Sequence, residues 1–145
     1  ALFVPADRWS GDGSLEPYAR QAVAILESKE NLVLTISRPE NEELVDVTGE
    51  QSSRIASRLG QLASQLIGTT SLAGVVLTGG DIALQTCTHL GVTRLQIVDQ
   101  VAEGIPLSLA LDGALDSVPI ITKAGGFGDE DVFLRVITYL RGAAK

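Results

Sequence analysis

Much of what a reader looks for first is missing from this chain. There is no methionine, one cysteine, one histidine and one tryptophan in 145 residues. The missing methionine points to a processed chain, a trimmed one or a piece of something longer. The single Cys87 excludes an internal disulfide and a cysteine-based zinc site. Its expected role is that of a small apolar residue. His89 falls near the end of a predicted helix, where a cation is favoured, so capping or exposure outranks catalysis. The longest apolar runs, such as Ala73–Leu77, fall far short of the roughly 20 residues of a spanning helix. No charged-then-apolar leader opens the chain. The expectation is no membrane partner and a cytoplasmic address.

Basic charge is also scarce. Eleven Lys and Arg stand against eighteen Asp and Glu, for a net charge of −7, and the bases do not cluster. Nucleic-acid binding is therefore not expected, since neutralising phosphates needs Lys and Arg. The first fifty residues hold ten of the acids and four of the bases. Any anion site is expected in the later half. A hydrophobic content of 45% is enough to bury a core and excludes long disorder.

Strand-like and helix-like segments alternate along the chain. Residues 1–13 read as an irregular opening segment, with Trp9 anchoring it. Residues 14–145 read as one α/β domain. Ser14 can cap a helix over about 15–29, with Pro17 in its first turn. Leu32–Ser37 is a short apolar strand bounded by Pro39. Arg38–Glu50 is a polar loop. Ile55, Leu59, Leu62 and Leu66 put one apolar face on a helix over about 51–67. Ala73–Leu77 is apolar on both faces, as at the centre of a parallel sheet. A helix over about 82–90 follows, closed by Gly91. Strands are expected at 92–98 and 105–111, joined by Asp99–Gly104. Pro119 places a strand at 118–121 near an edge or at a strand start. The last helix is expected to open with Asp129-Glu130-Asp131 in its first turn. The expected fold is a three-layer α/β/α domain with a largely parallel sheet.

The chemistry concentrates in two glycine-rich turns. The first is Thr78-Gly79-Gly80-Asp81-Ile82. Glycines let the chain turn sharply and let an anion reach bare amides, and a helix N-terminus adds N–H groups and partial positive charge. Asp81 can cap the helix or hold a phosphate-bound Mg2+ through water. The second is Lys123-Ala124-Gly125-Gly126-Phe127-Gly128. It is a candidate anion nest, with Lys123 offsetting charge and Phe127 packing on a base or pinning the loop. Each turn alone reads equally well as a plain tight turn. No Gly-x-x-x-x-Gly-Lys-Ser/Thr loop and no Gly-x-Gly-x-x-Gly after a strand is present.

Taken together, the turns carry a resemblance. Leu77-Thr78-Gly79-Gly80-Asp81-Ile82-Ala83, then Glu103-Gly104-Ile105-Pro106, then Thr122–Gly128, in this order, resemble the nucleotide-binding C-terminal domain of the four-carbon acid sugar kinases. The resemblance covers about residues 15–142. It implies ATP and Mg2+ as cofactors and an acid such as threonate, erythronate or 3-oxo-tetronate as substrate. It implies a separate N-terminal domain that binds the sugar acid, absent from this chain, and it leaves a homo-oligomer open. It places Gly79, Gly80, Asp81 and Ile82 in the first ATP loop and Gly125, Gly126 and Gly128 in the second. Three features depart from the family. Ile82 stands where it usually has Thr, and Gln100 where it usually has Glu. Residues 1–13 lack its opening strand with a Gly-Ser-rich turn. The alternative is a diverged, non-catalytic nucleotide-binding or assembly module. On either reading this chain alone is not expected to be catalytically complete.

Overall fold

The computed structural model describes residues 2–5, 8–9, 12–36, 49–115 and 118–143. The chain divides into two compact units, residues 1–70 and 71–145.

The first unit contains β1 (Leu2–Phe3), α1 (Glu16–Glu27), β2 (Leu34–Thr35) and α2 (Gly49–Thr69). The opening segment is less irregular than its sequence suggests. Leu2 and Phe3 pair in parallel with Leu34 and Thr35. Val4 and Trp9 are wholly buried, and Trp9 Nε1 donates to the Val4 carbonyl at 2.9 Å. The indole thus brings its own polar atom into the core already paired. Helix α1 begins one residue after Leu15, yet Ser14 still contributes, because its Oγ accepts from the Glu16 N–H at 3.2 Å. Helix α2 buries Ile55, Leu62 and Leu66 on the face their spacing predicts. Fully burying such a side chain contributes about 1.5–3 kcal/mol. Ser37, Pro39 and most of the expected loop at 38–50 lie outside the described residues, while Gly49 and Glu50 already belong to α2.

The second unit contains β3 (Val75–Thr78), α3 (Gly80–His89), β4 (Leu95–Ala102), β5 (Ile105–Ala110), β6 (Pro119–Lys123) and α4 (Val132–Ala143). Its sheet has the order β3-β6-β5-β4. The α/β class stands, but this sheet is mixed. Only β3–β6 is parallel; β6–β5 and β5–β4 are antiparallel. A tight hairpin makes the difference. Ala102 pairs with Ile105, so only Glu103 and Gly104 turn the chain where six residues were expected to. Such a turn can join only antiparallel strands. Strand β3 ends the order instead of standing at its centre, and Val75 and Val76 are accordingly only half-buried. Pro119 starts β6, an inner strand, where its missing N–H costs least. Ile105, Leu107 and Ile121 pack with Val132, Val136 and Leu140 of α4 into one buried cluster.

Two junctions brace this unit. Helix α3 ends in a double-bonded cap: the Gly91 N–H donates to the Thr88 carbonyl at 3.1 Å and the Val92 N–H to that of Cys87 at 2.9 Å. Just beyond, the Asp112 carboxylate accepts from the Thr93 N–H (2.7 Å), Thr93 Oγ1 (2.6 Å), the Arg94 N–H (3.2 Å) and Arg94 Nε (3.1 Å). These donors, the Thr93 hydroxyl foremost, hold the Asp112 carboxyl far below the ordinary carboxylate range. A carboxyl whose pKa is depressed in the fold stabilises it above the unfolded pKa of about 3.9 and loses that contribution as pH falls below it. Asp112→Asn is therefore expected to lower stability at pH 7 and to flatten the acid limb below about pH 4. Thermal unfolding monitored by circular dichroism across pH 2–7 checks this. An unchanged acid limb would remove Asp112 as its source.

Candidate functional site

The parallel pairing of β3 with β6 assembles the site. Thr78 is the register partner of Lys123, each the last residue of its strand. The two glycine-rich turns, far apart in sequence, therefore leave the sheet side by side. The Gly79 N–H donates to the Lys123 carbonyl at 2.9 Å, which ties one turn to the other. Because β5 runs antiparallel to β6, the Glu103–Gly104 hairpin turn emerges at the same end of the sheet. All three motifs of the resemblance meet there.

In the first turn, Gly79 is the residue before α3, with φ 92° and ψ 136°. Only glycine adopts this region at low cost. The first helical hydrogen bond runs from the Ala83 N–H to the Gly79 carbonyl at 3.0 Å. The N–H groups of Gly80, Asp81 and Ile82 therefore precede any possible acceptor within the helix. A Cβ at Gly80 would find no atom within 4 Å, so that face of the turn is bare. Asp81 does not cap the helix. Gly79 holds the cap position without any side-chain bond, and Asp81 sits exposed inside the first turn, because α3 begins two residues earlier than its apolar pattern suggests. Ile82 is half-buried, and its Cγ1 lies 3.9 Å from where a Gly79 Cβ would stand.

In the second turn, the Phe127 N–H donates to the Ala124 carbonyl at 3.2 Å. Lys123 Nζ folds back onto its own loop, donating to the carbonyls of Ala124 (3.2 Å) and Gly125 (3.0 Å). In a trans peptide the N–H points opposite to the C=O. Holding those two carbonyls thus turns the Gly125 and Gly126 N–H groups the other way. Lys123 organises the loop here rather than reaching beyond it. Gly125 and Gly126 would each accept a Cβ without any contact inside 4 Å. Gly128 has φ 84°. Phe127 is half-exposed and lies on the α-carbon of Gly104. The acids beyond the loop are not in the last helix. Helix α4 starts at Val132, and the Asp129 carboxylate instead accepts from Nη2 and Nη1 of Arg135, at 2.8 and 3.0 Å. That ion pair, led by the hydrogen bond, lowers the Asp129 pKa. It also turns the carboxylate toward α4.

Among the remaining residues, Gln100 is exposed on β4 opposite Pro106, and its N–H is taken by Asp99 at 2.7 Å. Tyr139 Oη donates to the other Asp99 oxygen, which lowers the Asp99 pKa and raises that of the phenol. His89 is exposed in the last turn of α3. Cys87 is half-buried, and desolvation raises its pKa. Among the described residues, no group of three or more His, Cys, Asp or Glu side chains could hold a metal, and no helix is long and apolar enough to cross a membrane. Two clefts, of about 230 and 420 Å³, are lined wholly by first-unit residues such as Gln65 and include neither glycine turn. Anion binding by backbone amides needs aligned N–H groups rather than depth, so the turns remain the better candidate.

Gly104 is the residue that sequence reasoning undervalued. Its position beside Phe127 follows only from the hairpin register.

The chain is similar to known proteins over most of its length. The family model described as "nucleotide-binding C-terminal domain" matches residues 2–133. A D-threonate kinase of Salmonella typhimurium is 32% identical over 140 residues, 90% of this chain and 33% of that protein. A 3-oxo-tetronate kinase of Pseudomonas savastanoi pv. phaseolicola is 28% identical over 137 residues, 89% of this chain and 30% of that protein. Among solved structures, a Bordetella bronchiseptica protein with bound citrate, a domain-swapped dimer, aligns with a TM-score of 0.73 at 28% identity, covering 97% of this chain and 35% of that one. The chain thus spans about a third of the length of these relatives. It belongs to the nucleotide-binding C-terminal domain family of the four-carbon acid sugar kinases.

Proposed function

We propose that this chain is the ATP-binding part of a kinase that phosphorylates a four-carbon sugar acid of the threonate, erythronate or 3-oxo-tetronate type. The observation that carries the reading is the tie between the two glycine turns, from the Gly79 N–H to the Lys123 carbonyl at 2.9 Å. It sets two sets of bare amides next to each other, as a polyphosphate needs.

The residues fit the nucleotide. Gly80, Gly125 and Gly126 leave open backbone faces. The amides of Gly80, Asp81 and Ile82 would take phosphate oxygens, with the α3 N-terminus adding partial positive charge. The amides of Gly125 and Gly126 would take others. Phe127 offers a half-exposed ring for a base. Asp81, as the one carboxylate in the turn, would hold Mg2+ through water, with phosphates completing its coordination. Bound ATP supplies the phosphoryl group. This chain's part is orientation: it would hold the phosphates in line and balance their charge. The substrate hydroxyl and the base that accepts its proton would come from a sugar-acid-binding domain outside this chain.

One feature favours the second reading, a diverged module without catalysis. Ile82 puts a hydrocarbon beside Gly79 where the resemblance implies a hydroxyl.

Titration of ATP–Mg2+ into the chain by calorimetry tests the first reading. One saturable site is expected, with Kd between about 1 µM and 1 mM, about −8 to −4 kcal/mol. NADH should give no heat. Silence at millimolar ATP would reject the reading and leave the assembly module.

A further inference from the structure

The Gly125–Gly128 loop has few side chains of its own to hold it. Between Ala124 and Asp129 its only side chain is that of Phe127. Lys123 Nζ holds the Ala124 and Gly125 carbonyls from one end. Glycine neighbours give the rest of the backbone wide freedom, so the seat of that ring is the second anchor that sets how the loop amides point. The seat is Gly104, with φ 71°, in the β4–β5 turn. A Cβ built on Gly104 would stand 2.3 Å from Phe127 Cδ1, 2.6 Å from Cε1 and 3.1 Å from Cγ. The ring occupies the place of the missing side chain. The demand at Gly104 is double: a left-handed backbone, and no atom beyond the α-carbon. A turn alone would explain only the first.

We infer that Gly104 is a positioning residue for the second phosphate loop: by seating the Phe127 ring, it completes, with the Lys123 bonds, the setting of the Gly125–Gly128 amides for the nucleotide. The inference rests on the proposed ATP reading for its ligand, but not for the contact itself. Gly104 touches no phosphate on this account. It acts through Phe127, and the two belong to one unit.

The test is a double-mutant cycle on the chain: Gly104→Ala, Phe127→Ala and both together. Three quantities are read for each: hydrogen exchange of the residue-127 amide, the loop N–H bonded to the Ala124 carbonyl, without nucleotide; Kd for ATP–Mg2+; and thermal stability. Gly104→Ala should speed loop exchange about ten-fold and weaken ATP about ten-fold. In the Phe127→Ala background the same substitution should change either by less than about two-fold, because no ring is left to displace. A merely structural role would lower thermal stability in both backgrounds alike and leave loop exchange unmoved; that result overturns the inference. Should Gly104→Ala not fold, Phe127→Leu removes the ring while keeping an apolar side chain. It should speed loop exchange about three-fold with little change in Tm, and unchanged exchange would overturn the inference as well. If the unaltered chain fails to bind ATP, the functional reading falls, while the exchange arm still decides whether Gly104 positions the loop.

Discussion

Gly113→Ala is expected to lower the thermal midpoint of the chain by about 10 °C or more. A Cβ at Gly113 would stand 2.7 Å from each of three backbone atoms: the Gly91 carbon, the Leu90 oxygen and the Val92 nitrogen. Backbone cannot swing aside as a side-chain tip can. Nor can residue 113 easily retreat. On one side Asp112 is bonded to Thr93 and Arg94, and on the other the Ala114 N–H donates to the Leu90 carbonyl at 2.8 Å. The φ of 79° adds a left-handed penalty of about 1–2 kcal/mol for any L side chain. Overpacking adds about 1–3 kcal/mol more. The sum is a large part of the 5–15 kcal/mol that holds a typical domain together. Gly125→Ala is the control, since a Cβ there meets nothing within 4 Å and its φ is not left-handed. It should shift the midpoint by little. An unshifted midpoint for Gly113→Ala would mean that the end of α3 and the loop after β5 do not meet.

How far the fold was legible follows from the range over which each element is specified. Helix α2 was plain, because Ile55, Leu59, Leu62 and Leu66 repeat the period of the helix itself. Strand β1 was not, because two residues pair with Leu34 and Thr35 across some thirty positions, and no local pattern records that. Strand β4 was misplaced for a related reason. Residues 95–100 are all exposed, so Gln96, Asp99 and Gln100 show no buried face, and the strand exists through its pairing with β5. The direction of pairing was also hidden. Val75–Leu77 has the apolar run of a central parallel strand but ends its sheet. The candidate site divides in the same way. Its glycines announced two turns, since few other uses explain Gly79-Gly80 or Gly125-Gly126. That the turns adjoin depends on the Thr78–Lys123 register, and the seat of Phe127 depends on a hairpin shorter than composition suggests. By charge alone Lys123 reads as a residue that offsets phosphate charge. Its reach onto two loop carbonyls follows from where β6 ends.

The second large effect is expected at the first turn. Gly79→Ala should weaken ATP–Mg2+ binding by about 10- to 100-fold, or about 1.4–2.8 kcal/mol. At φ 92° and ψ 136° an alanine is strained by about 1–3 kcal/mol. Space is not the obstacle, since the nearest atom to its Cβ would be Ile82 Cγ1 at 3.9 Å. The chain would relieve the strain by rotating about φ. That rotation moves the Gly79 carbonyl, which accepts the first hydrogen bond of α3, and swings the peptide that presents the Gly80 N–H. The tie to Lys123 would weaken with it, so both turns would lose their setting at once. A loss of affinity alone would not separate a distorted fold from a blocked ligand. Gly80→Ala makes the separation. Gly80 is already helical, has ordinary φ and has nothing within 4 Å of a Cβ, so alanine should leave stability unchanged or slightly raised. If a phosphate lies against that bare face, the added methyl must push it away, and ATP affinity falls while the fold holds. Calorimetric titration and thermal unfolding of both variants read the two effects apart. Full ATP affinity in Gly80→Ala would place the phosphate elsewhere than on the first turn.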